Sequence, residues 1–301
     1  MLAITTFDIS IFGVIGIIII IFIVIGLIKG FVRMTFGLIA LSAGIYAALW
    51  GFGIVNPPPQ FVPADPIGIL IENPDPWMSA AVGIILGLAT FFVARALFGI
   101  LLTPAGSKDG KTRKIAPLGG MLGFVMGAAF VWFCLVGVRY IGTLSELGWV
   151  REAIQDKDWL NATTNEDREA KRPSQPIFSK LKRGLDTSTA GQFHEERLDF
   201  LNNRSEANLS KLTILVDNEQ AATRAYLTKD VRKAALQTQI STLLVKQSAK
   251  LKAFYEEGQY SALLRSDSIK KACATKEAEE QLEGLDIEKA IGLIGTGEAK
   301  D

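Results

Sequence analysis

The sequence predicts an all-α protein in which a polytopic bundle of four transmembrane helices is followed by a helical extramembrane domain. Residues 1–141 hold 8 basic and 5 acidic residues, whereas residues 142–301 hold 24 and 26, so the net charge of +1 conceals two unlike halves. The first half contains four long apolar runs. The second half is rich in Ala, Leu, Lys, Glu and Gln and has two prolines, which is a helix-forming composition.

The four predicted spans cover residues 9–28, 36–55, 78–102 and 117–141. A helix of 20 residues is about 30 Å long, the thickness of the hydrocarbon core of a bilayer. The first run has no Lys or Arg before it and no small-residue cleavage site after it, so we predict a retained span rather than a signal peptide. Pro117 suits the first turn of the fourth helix, where its missing N–H has no partner to lose.

The charges of the short loops predict the orientation. On one side of a four-span bundle lie all the loop cations: Lys29, Arg33, Lys108, Lys111, Arg113 and Lys114. The positive-inside rule places this side in the cytoplasm. We therefore expect the N-terminus and the domain of residues 142–301 on the periplasmic side, with Trp50, Trp77 and Trp149 near the outer ends of the spans.

Arg95 is the one deep charge of the predicted spans. It could belong to an ion or proton pathway. Alternatively, because it lies seven residues, or about 10 Å, before Leu102, its long side chain could bring the guanidinium to the cytoplasmic interface. We favour this second interpretation, since the predicted spans contain no Asp or Glu that could pair with Arg95.

Glycines recur at the spacing that helix packing in lipid requires. Gly119, Gly123 and Gly127 form two overlapping GxxxG units in span four, and Gly83 and Gly87 form another in span three. Glycines on one face of a helix let a neighbouring backbone approach closely. We predict that these five residues form helix contacts.

Two blocks of the first half carry a family resemblance. They consist of Asp8 with the segment Lys29, Gly30, Phe31, Val32 and Arg33, followed by Gly37 and Gly44, and of Leu118–Gly123 with Gly127. These residues resemble the colicin V production protein family over about residues 7–141. The sequence departs from the family pattern at Ile115-Ala116, where members usually have an Asp-Arg pair, and at Met126, where they often have Arg.

The resemblance implies a multi-pass protein of the bacterial inner membrane without enzymatic activity, linked to production or export of a peptide toxin or to envelope homeostasis. The expected partners are the lipid bilayer, membrane or periplasmic proteins and a second copy of the chain, with no cofactor. A transporter or channel subunit is the alternative, although the spans offer few candidates for a polar path: Ser42, Tyr46, Thr90 and Arg95. A membrane-bound enzyme would lack any recognisable acid–base or nucleophile motif.

The composition and apolar periodicity of the second half predict several short helices. We expect an interfacial helix over Leu147–Trp159, for which a solvent-exposed helix with a Trp cap is the alternative. We also expect a polar linker near residues 161–172 and one apolar face over Ile240–Tyr255. The expected N-caps of the last helices are Ser266, Thr275 and Asp286, and the tail from Gly292 should fray.

The composition also excludes several classes of site. A single histidine, His194, and two cysteines, Cys134 and Cys273, cannot supply a His-rich metal site, a zinc site or a disulfide framework. The small net charge disfavours nucleic acid as a partner. We expect His194 to be a solvated surface residue, Cys134 to be shielded within span four, and Cys273 to be the more reachable thiol.

Overall fold

The computed structural model describes residues 6–29, 31–51, 76–101, 116–162, 164–199, 203–246 and 248–294. All regular structure in these ranges is helical, which confirms the predicted all-α class. In chain order the helices are α1 Thr6–Lys29, α2 Phe31–Gly51, α3 Pro76–Leu101, α4 Ala116–Gln155, α5 Lys157–Leu160, α6 Asn165–Ala170, α7 Ile177–Thr187, α8 Thr189–Arg197, α9 Arg204–Leu215, α10 Glu219–Leu227, α11 Lys229–Leu236, α12 Thr238–Lys246, α13 Ser248–Glu256, α14 Tyr260–Leu264, α15 Asp267–Cys273, α16 Lys276–Glu283 and α17 Ile287–Ile291.

Three of these helices are long and apolar enough to cross a membrane. The apolar segments are Ser10–Ile28 in α1, Ala81–Phe98 in α3 and Leu118–Gln155 in α4, and α2 adds a shorter one, Thr35–Gly51. Large aliphatic and aromatic side chains on α1, α3 and α4 are exposed. That exposure suits helices whose outer faces meet lipid rather than water.

The chain forms two compact units. The first contains Met1–Val138 and Gly184–Asp199, and the second contains Arg139–Arg183 and Phe200–Asp301. The change in composition along the chain instead predicts a single boundary, after residue 141. The difference at residues 184–199 has a physical cause, because α8 packs against α1 and the indole N–H of Trp132 in α4 donates a hydrogen bond to the Leu198 carbonyl (3.0 Å).

The second unit is a cluster of short helices around α9. The buried side chains of α9 include Leu209, Leu212, Ile214 and Leu215, and α9 contacts α10, α13, α14, α15, α16 and α17. The helices are short because polar caps recur along the chain. The side chains of Asn203 and Asn218, for example, accept hydrogen bonds from backbone N–H groups at the starts of α9 and α10.

Several local predictions are confirmed. Ser266, Thr275 and Asp286 are the N-caps of α15, α16 and α17, although only the Ser266 and Asp286 side chains accept a capping hydrogen bond. The apolar face of residues 240–255 is buried at Ile240 and Leu251, but it is divided between α12 and α13.

Other local predictions are wrong, and burial is the common reason. Trp149 and Trp159 are buried in the second unit, and the Trp149 indole N–H donates to the Pro173 carbonyl (3.0 Å), so neither ring marks a membrane surface. His194 and Cys273 are buried, so His194 is not a solvated surface residue and Cys273 is not the more reachable thiol. Cys134 lies on the outer surface of α4, where lipid would shield it.

Two segments expected to be irregular contain ordered structure. Residues 161–172, predicted as a linker, include α6 and the buried Ala162. Gly292 ends α17 in the left-handed conformation (φ 83°), which glycine adopts without strain, and the two residues after it are buried. Residues 295–301 of the predicted tail lie outside the described residues.

Candidate functional site: helix-packing faces and a buried charge network

Helices α1 and α4 of the first unit meet through glycines. A methyl group added to Gly26 would overlap the carbonyl of Gly119, and one added to Gly123 would overlap the carbonyl of Phe22. Gly127 has the same role one turn further on, where a methyl group would lie 3.1 Å from Ile19 Cα. The two backbones are therefore in contact, as in other small-residue interfaces of membrane helices.

These contacts fix the register of the two helices. Gly119, Gly123 and Gly127 meet positions 26, 22–23 and 19 of α1, so α1 and α4 run antiparallel. The contact continues one turn further along α4, where the rings of Phe22 and Phe130 are 5.6 Å apart. If this antiparallel pairing continues residue by residue, Ser10, where the apolar segment of α1 begins, lies opposite residue 136 of α4. Residue 136 is close to Val138, the last residue of α4 that belongs to the first unit.

Helices α2 and α3 form a second glycine contact. A methyl group on Gly87 would lie 2.8 Å from Ala48 Cβ, and one on Gly44 would lie 2.8 Å from the Gly87 carbonyl oxygen. At the other end of this contact, a methyl group on Gly51 would lie 2.7 Å from Gly83 Cα. The five glycines predicted from their spacing thus all lie against a neighbouring helix.

Sequence reasoning missed the glycines on the opposite side of these contacts. The GxxxG pattern does not include Gly26 or Gly51, and Gly44 enters only as part of the family resemblance. Gly44 and Gly51 are seven residues apart, or two helical turns, and this spacing was the signal that could have found them. Gly26 is the third glycine of an apolar helix whose other two, Gly13 and Gly16, contact no neighbour in the described residues, so spacing alone could not select it.

Arg95 lies on the exposed side of α3. Its guanidinium carbon is 5.9 Å from the centroid of the Phe91 ring, one helical turn earlier, and no acidic side chain pairs with it in the part of the chain that the structure describes. Of the other polar candidates, Ser42 donates its hydroxyl hydrogen to the Leu38 carbonyl of its own helix (3.0 Å), and Tyr46 is exposed. Thr90, the remaining candidate, is half-buried on α3.

For the family-motif residues before and after span one, the structure gives the helix in which each residue lies. Asp8 and Lys29 lie in α1, and Phe31 and Arg33 lie in α2, while Gly30 falls outside the described residues. One residue separates the end of α1 from the start of α2.

The second unit contains a buried network of charges that sequence reasoning did not predict. Glu146 on α4 and Lys211 on α9 are buried, and the ammonium nitrogen of Lys211 lies 2.7 Å from Glu146 Oε2. Lys211 also pairs with Glu288 on α17, and Lys182 on α7 lies 3.1 Å from the same Glu146 oxygen. Four helices are thus joined by two carboxylates and two ammonium groups.

A second pair borders this network. Arg183, which follows Lys182 on α7, lies 3.4 Å from Asp286 and 3.9 Å from Glu288. With this pair included, three cations face three carboxylates, so the cluster is balanced in charge. Balance matters because an unpaired charge in a dry interior costs several kcal/mol.

Gly142 allows α7 to approach α4 closely beside the network. A methyl group on Gly142 would lie 2.5 Å from Lys182 Cβ and 2.9 Å from the Phe178 carbonyl oxygen. Gly142 and Glu146 are one turn apart on α4, so the close approach of α7 at Gly142 brings Lys182 within reach of Glu146. The burial of Lys211 by itself would lower its pKa, but the Glu146 and Glu288 carboxylates outweigh this effect and raise it above the ordinary value.

The geometry of the network describes charge neutralisation. All the members of the network neutralise one another. Burial raises the pKa of the Cys273 thiol to about 12, and Glu206 and Glu279 add to the effect, so little thiolate forms at neutral pH. Within the described residues no group of His, Cys, Asp and Glu side chains has the geometry of a metal site.

Comparison with known proteins bears on the N-terminal part of the chain. Residues 13–157 match the family model described as Colicin V production protein, which confirms the resemblance seen in the motifs. The match extends beyond residue 141 to the end of α4 and into α5, and so includes Glu146. No curated protein and no solved structure matches the chain.

Proposed function

We propose, from the match of residues 13–157 to the colicin V production family, that this chain is a non-enzymatic, multi-pass protein of the bacterial inner membrane. In this proposal it serves as a scaffold or assembly partner in toxin production or export, or in envelope homeostasis. The family match carries the proposal, and the apolar segments of α1–α4 support its membrane part.

The packing of the membrane helices favours a scaffold over a transporter or channel subunit. A transporter needs polar groups that converge on a path between helices. In the described parts of α1–α4, by contrast, glycines close the contacts between helices, and Ser42, Tyr46 and Arg95 lie on exposed faces. Exposed faces of this kind meet lipid or another membrane protein.

The orientation proposed for this protein follows the loop charges, with the basic loops in the cytoplasm. The placement of α8 supports one part of it. Helix α8 packs on α1, and the Leu198 carbonyl accepts a hydrogen bond from Trp132 of α4. We therefore propose that residues 189–198 lie on the same side of the membrane as the start of α1. In the proposal that side is the periplasm.

The proposed role can be tested by purification of the full chain in mild detergent after cross-linking in cells. We expect a stoichiometric protein partner that remains bound when the cross-linker is omitted. Liposomes reconstituted with the purified chain provide the second arm, and we expect no ion flux above that of empty liposomes. Flux that is lost in an Arg95→Ala variant would favour the transporter and contradict the scaffold.

The orientation needs a thiol reporter other than Cys273, because Cys273 is buried with a raised pKa. Leu236 is 74% exposed and suits a Leu236→Cys reporter in a chain with both native cysteines replaced by Ser. A membrane-impermeant maleimide should label it in cells whose outer membrane alone is permeabilised. Labelling that requires lysis of the inner membrane would place this residue in the cytoplasm and overturn the proposed orientation.

A further inference from the structure

Two arginines of the second unit lack an acidic partner. Arg168 on α6 and Arg224 on α10 are both half-buried, and neither guanidinium forms an ion pair with a carboxylate in the part of the chain that the structure describes. The nearby Glu169 of α6 pairs instead with Arg172 (3.1 Å). We call Arg168 and Arg224 the arginine pair.

The two guanidinium groups of the arginine pair are neighbours. Arg224 donates a hydrogen bond to the Leu160 carbonyl, and Arg168 donates one to the Ala162 carbonyl (3.3 Å). Because these acceptors are two residues apart in the chain, their Cα atoms are at most about 7.6 Å from each other. Burial lowers the pKa of the Arg224 guanidinium, and the positive charge of Arg168 lowers it further. Two like charges therefore lie side by side.

A third hydrogen-bond donor lies beside the arginine pair. The ring of Trp159 on α5 is 5.5 Å from the guanidinium carbon of Arg224, and this tryptophan is fully buried. Its indole N–H has no acceptor within the described residues, and Arg224 Nη1 and Arg168 Nε are buried nitrogens that also lack one there. All three side chains thus keep unused donors after their contacts with the protein.

The protein contacts of the arginine pair do not neutralise its charge. A backbone carbonyl and an aromatic face attract a guanidinium group, but neither carries a net charge. Elsewhere in the second unit, each cation of the buried network faces a carboxylate, as Lys211 faces Glu146 and Glu288. Hydrogen bonds to the carbonyls at the end of α5 use one N–H group of each arginine and leave two positive charges without a counter-ion.

We propose that the arginine pair and the Trp159 indole bind a phosphate group, supplied by a soluble phosphorylated molecule or by a lipid headgroup. A phosphate monoester carries about 1.5–2 negative charges at pH 7 and has three strong acceptor oxygens, so it matches two guanidinium charges and an indole N–H. A carboxylate carries one negative charge and would leave the site positive. Arginine also suits the geometry of phosphate, since its parallel N–H groups can bond two oxygens at once.

This inference goes beyond the proposed function and does not depend on it. The family match ends at residue 157, before Trp159, Arg168 and Arg224. The proposed site therefore lies outside the part of the chain that the family describes.

The test is a calorimetric titration of the full chain with inorganic phosphate, in detergent free of phospholipid, at pH 7 and constant ionic strength. We expect saturable binding of one phosphate per chain, weakened about tenfold or more by Arg168→Gln or Arg224→Gln, because each variant removes a charged hydrogen-bond donor. The matched control is Arg232→Gln, which replaces an exposed arginine of α11 and should bind as the parent does. Thermal unfolding without phosphate shows that each variant is folded. Arg168→Gln removes a single hydrogen bond to a carbonyl, so the test does not rest on the Arg224 variant alone.

Nanodiscs distinguish the two sources of the phosphate group. Inorganic phosphate that binds equally in phosphatidylcholine nanodiscs with and without phosphatidic acid would indicate a soluble ligand. Binding that phosphatidic acid abolishes would indicate a lipid headgroup, and both results support the site. Phosphatidylserine, an anionic lipid without a phosphate monoester, controls for repulsion by the surface charge.

Absence of saturable phosphate binding to the parent in detergent, or equal binding by the parent and the two arginine variants, would overturn the inference. Binding that appears only after Glu298→Gln and Asp301→Asn would also overturn it, because acidic side chains of the chain itself would then occupy the site. Both residues lie outside the described residues. They are tested because a methyl group on Gly292, six residues before Glu298, would lie 3.9 Å from Arg168 Cδ.

Discussion

Replacement of Lys211 by Met should destabilise the second unit strongly. The Lys211 side chain is 4% exposed, and its ammonium group pairs with two buried carboxylates, Glu146 and Glu288. Met preserves most of the volume but removes the charge, which leaves Glu146 with Lys182 alone and Glu288 with Arg183 at 3.9 Å. Removal of one partner from a buried ion pair typically costs about 3–5 kcal/mol.

The size of this effect sets the assay. For a unit of about 150 residues, 1 kcal/mol corresponds to roughly 2–4 °C, so we expect Tm to fall by about 6–20 °C. Thermal unfolding in detergent can be followed by tryptophan emission, because Trp149 and Trp159 are buried in this unit. The measurement belongs near pH 7, where a lysine whose folded pKa is raised is fully charged and its stabilising contribution is complete.

The matched control is Lys252→Met. Lys252 also pairs with two carboxylates, Asp217 at 2.5 Å and Glu256 at 3.6 Å, but its side chain is 40% exposed. Exposed pairs contribute little, so this variant should unfold close to the parent. The reasoning is refuted if Lys211→Met shifts Tm no more than Lys252→Met does.

A double variant distinguishes the loss of the ion-pair attraction from the cost of leaving a buried carboxylate unpaired. Lys211→Met combined with Glu288→Met leaves Glu146 with Lys182 and Arg183 with Asp286, so the cluster is balanced again. Replacement of a whole buried pair by apolar residues is often close to neutral. We therefore expect the double variant to be more stable than Lys211→Met alone, and additive losses would contradict this explanation.

The remaining predictions concern the membrane helices and the buried thiol. Gly123→Leu should lower thermal stability in detergent by about 1–3 kcal/mol, since its side chain would overlap the α1 backbone, while Gly13→Leu should match the parent because the described residues leave open space there. Cys273 should react with maleimide at neutral pH much more slowly than a free thiol and gain its full rate on unfolding; a fast native rate would contradict its burial. The Arg95→Lys variant should accumulate in the membrane like the parent and should complement the envelope phenotype of cells that lack the protein. A variant that accumulates normally but does not complement this phenotype would indicate a specific role of the guanidinium group.

Short sequence patterns predicted the features that depend on interactions between residues close together in the chain. The apolar runs specify α1–α4 because only a helix satisfies its own backbone in lipid. Spacing of four residues places Gly119, Gly123 and Gly127 on one face whatever the neighbour is. The caps at Ser266 and Asp286 were predictable for the same reason, since each depends on a hydrogen bond within three residues.

The helical class, the apolar spans and the glycine faces follow from the amino-acid sequence, as does the resemblance of the N-terminal part to the colicin V production family. Three features depend on the tertiary structure: which glycines meet, the packing of residues 184–199 with the membrane helices, and the single network of Glu146, Lys182, Lys211 and Glu288. Lys211 is 65 residues from Glu146 and 77 from Glu288 in the chain, and each charge looks like an ordinary surface residue in its own segment. The burial of a charge becomes favourable only when helices distant in the sequence bring opposite charges to the same place in the fold. No short stretch of sequence contains the information that they do so.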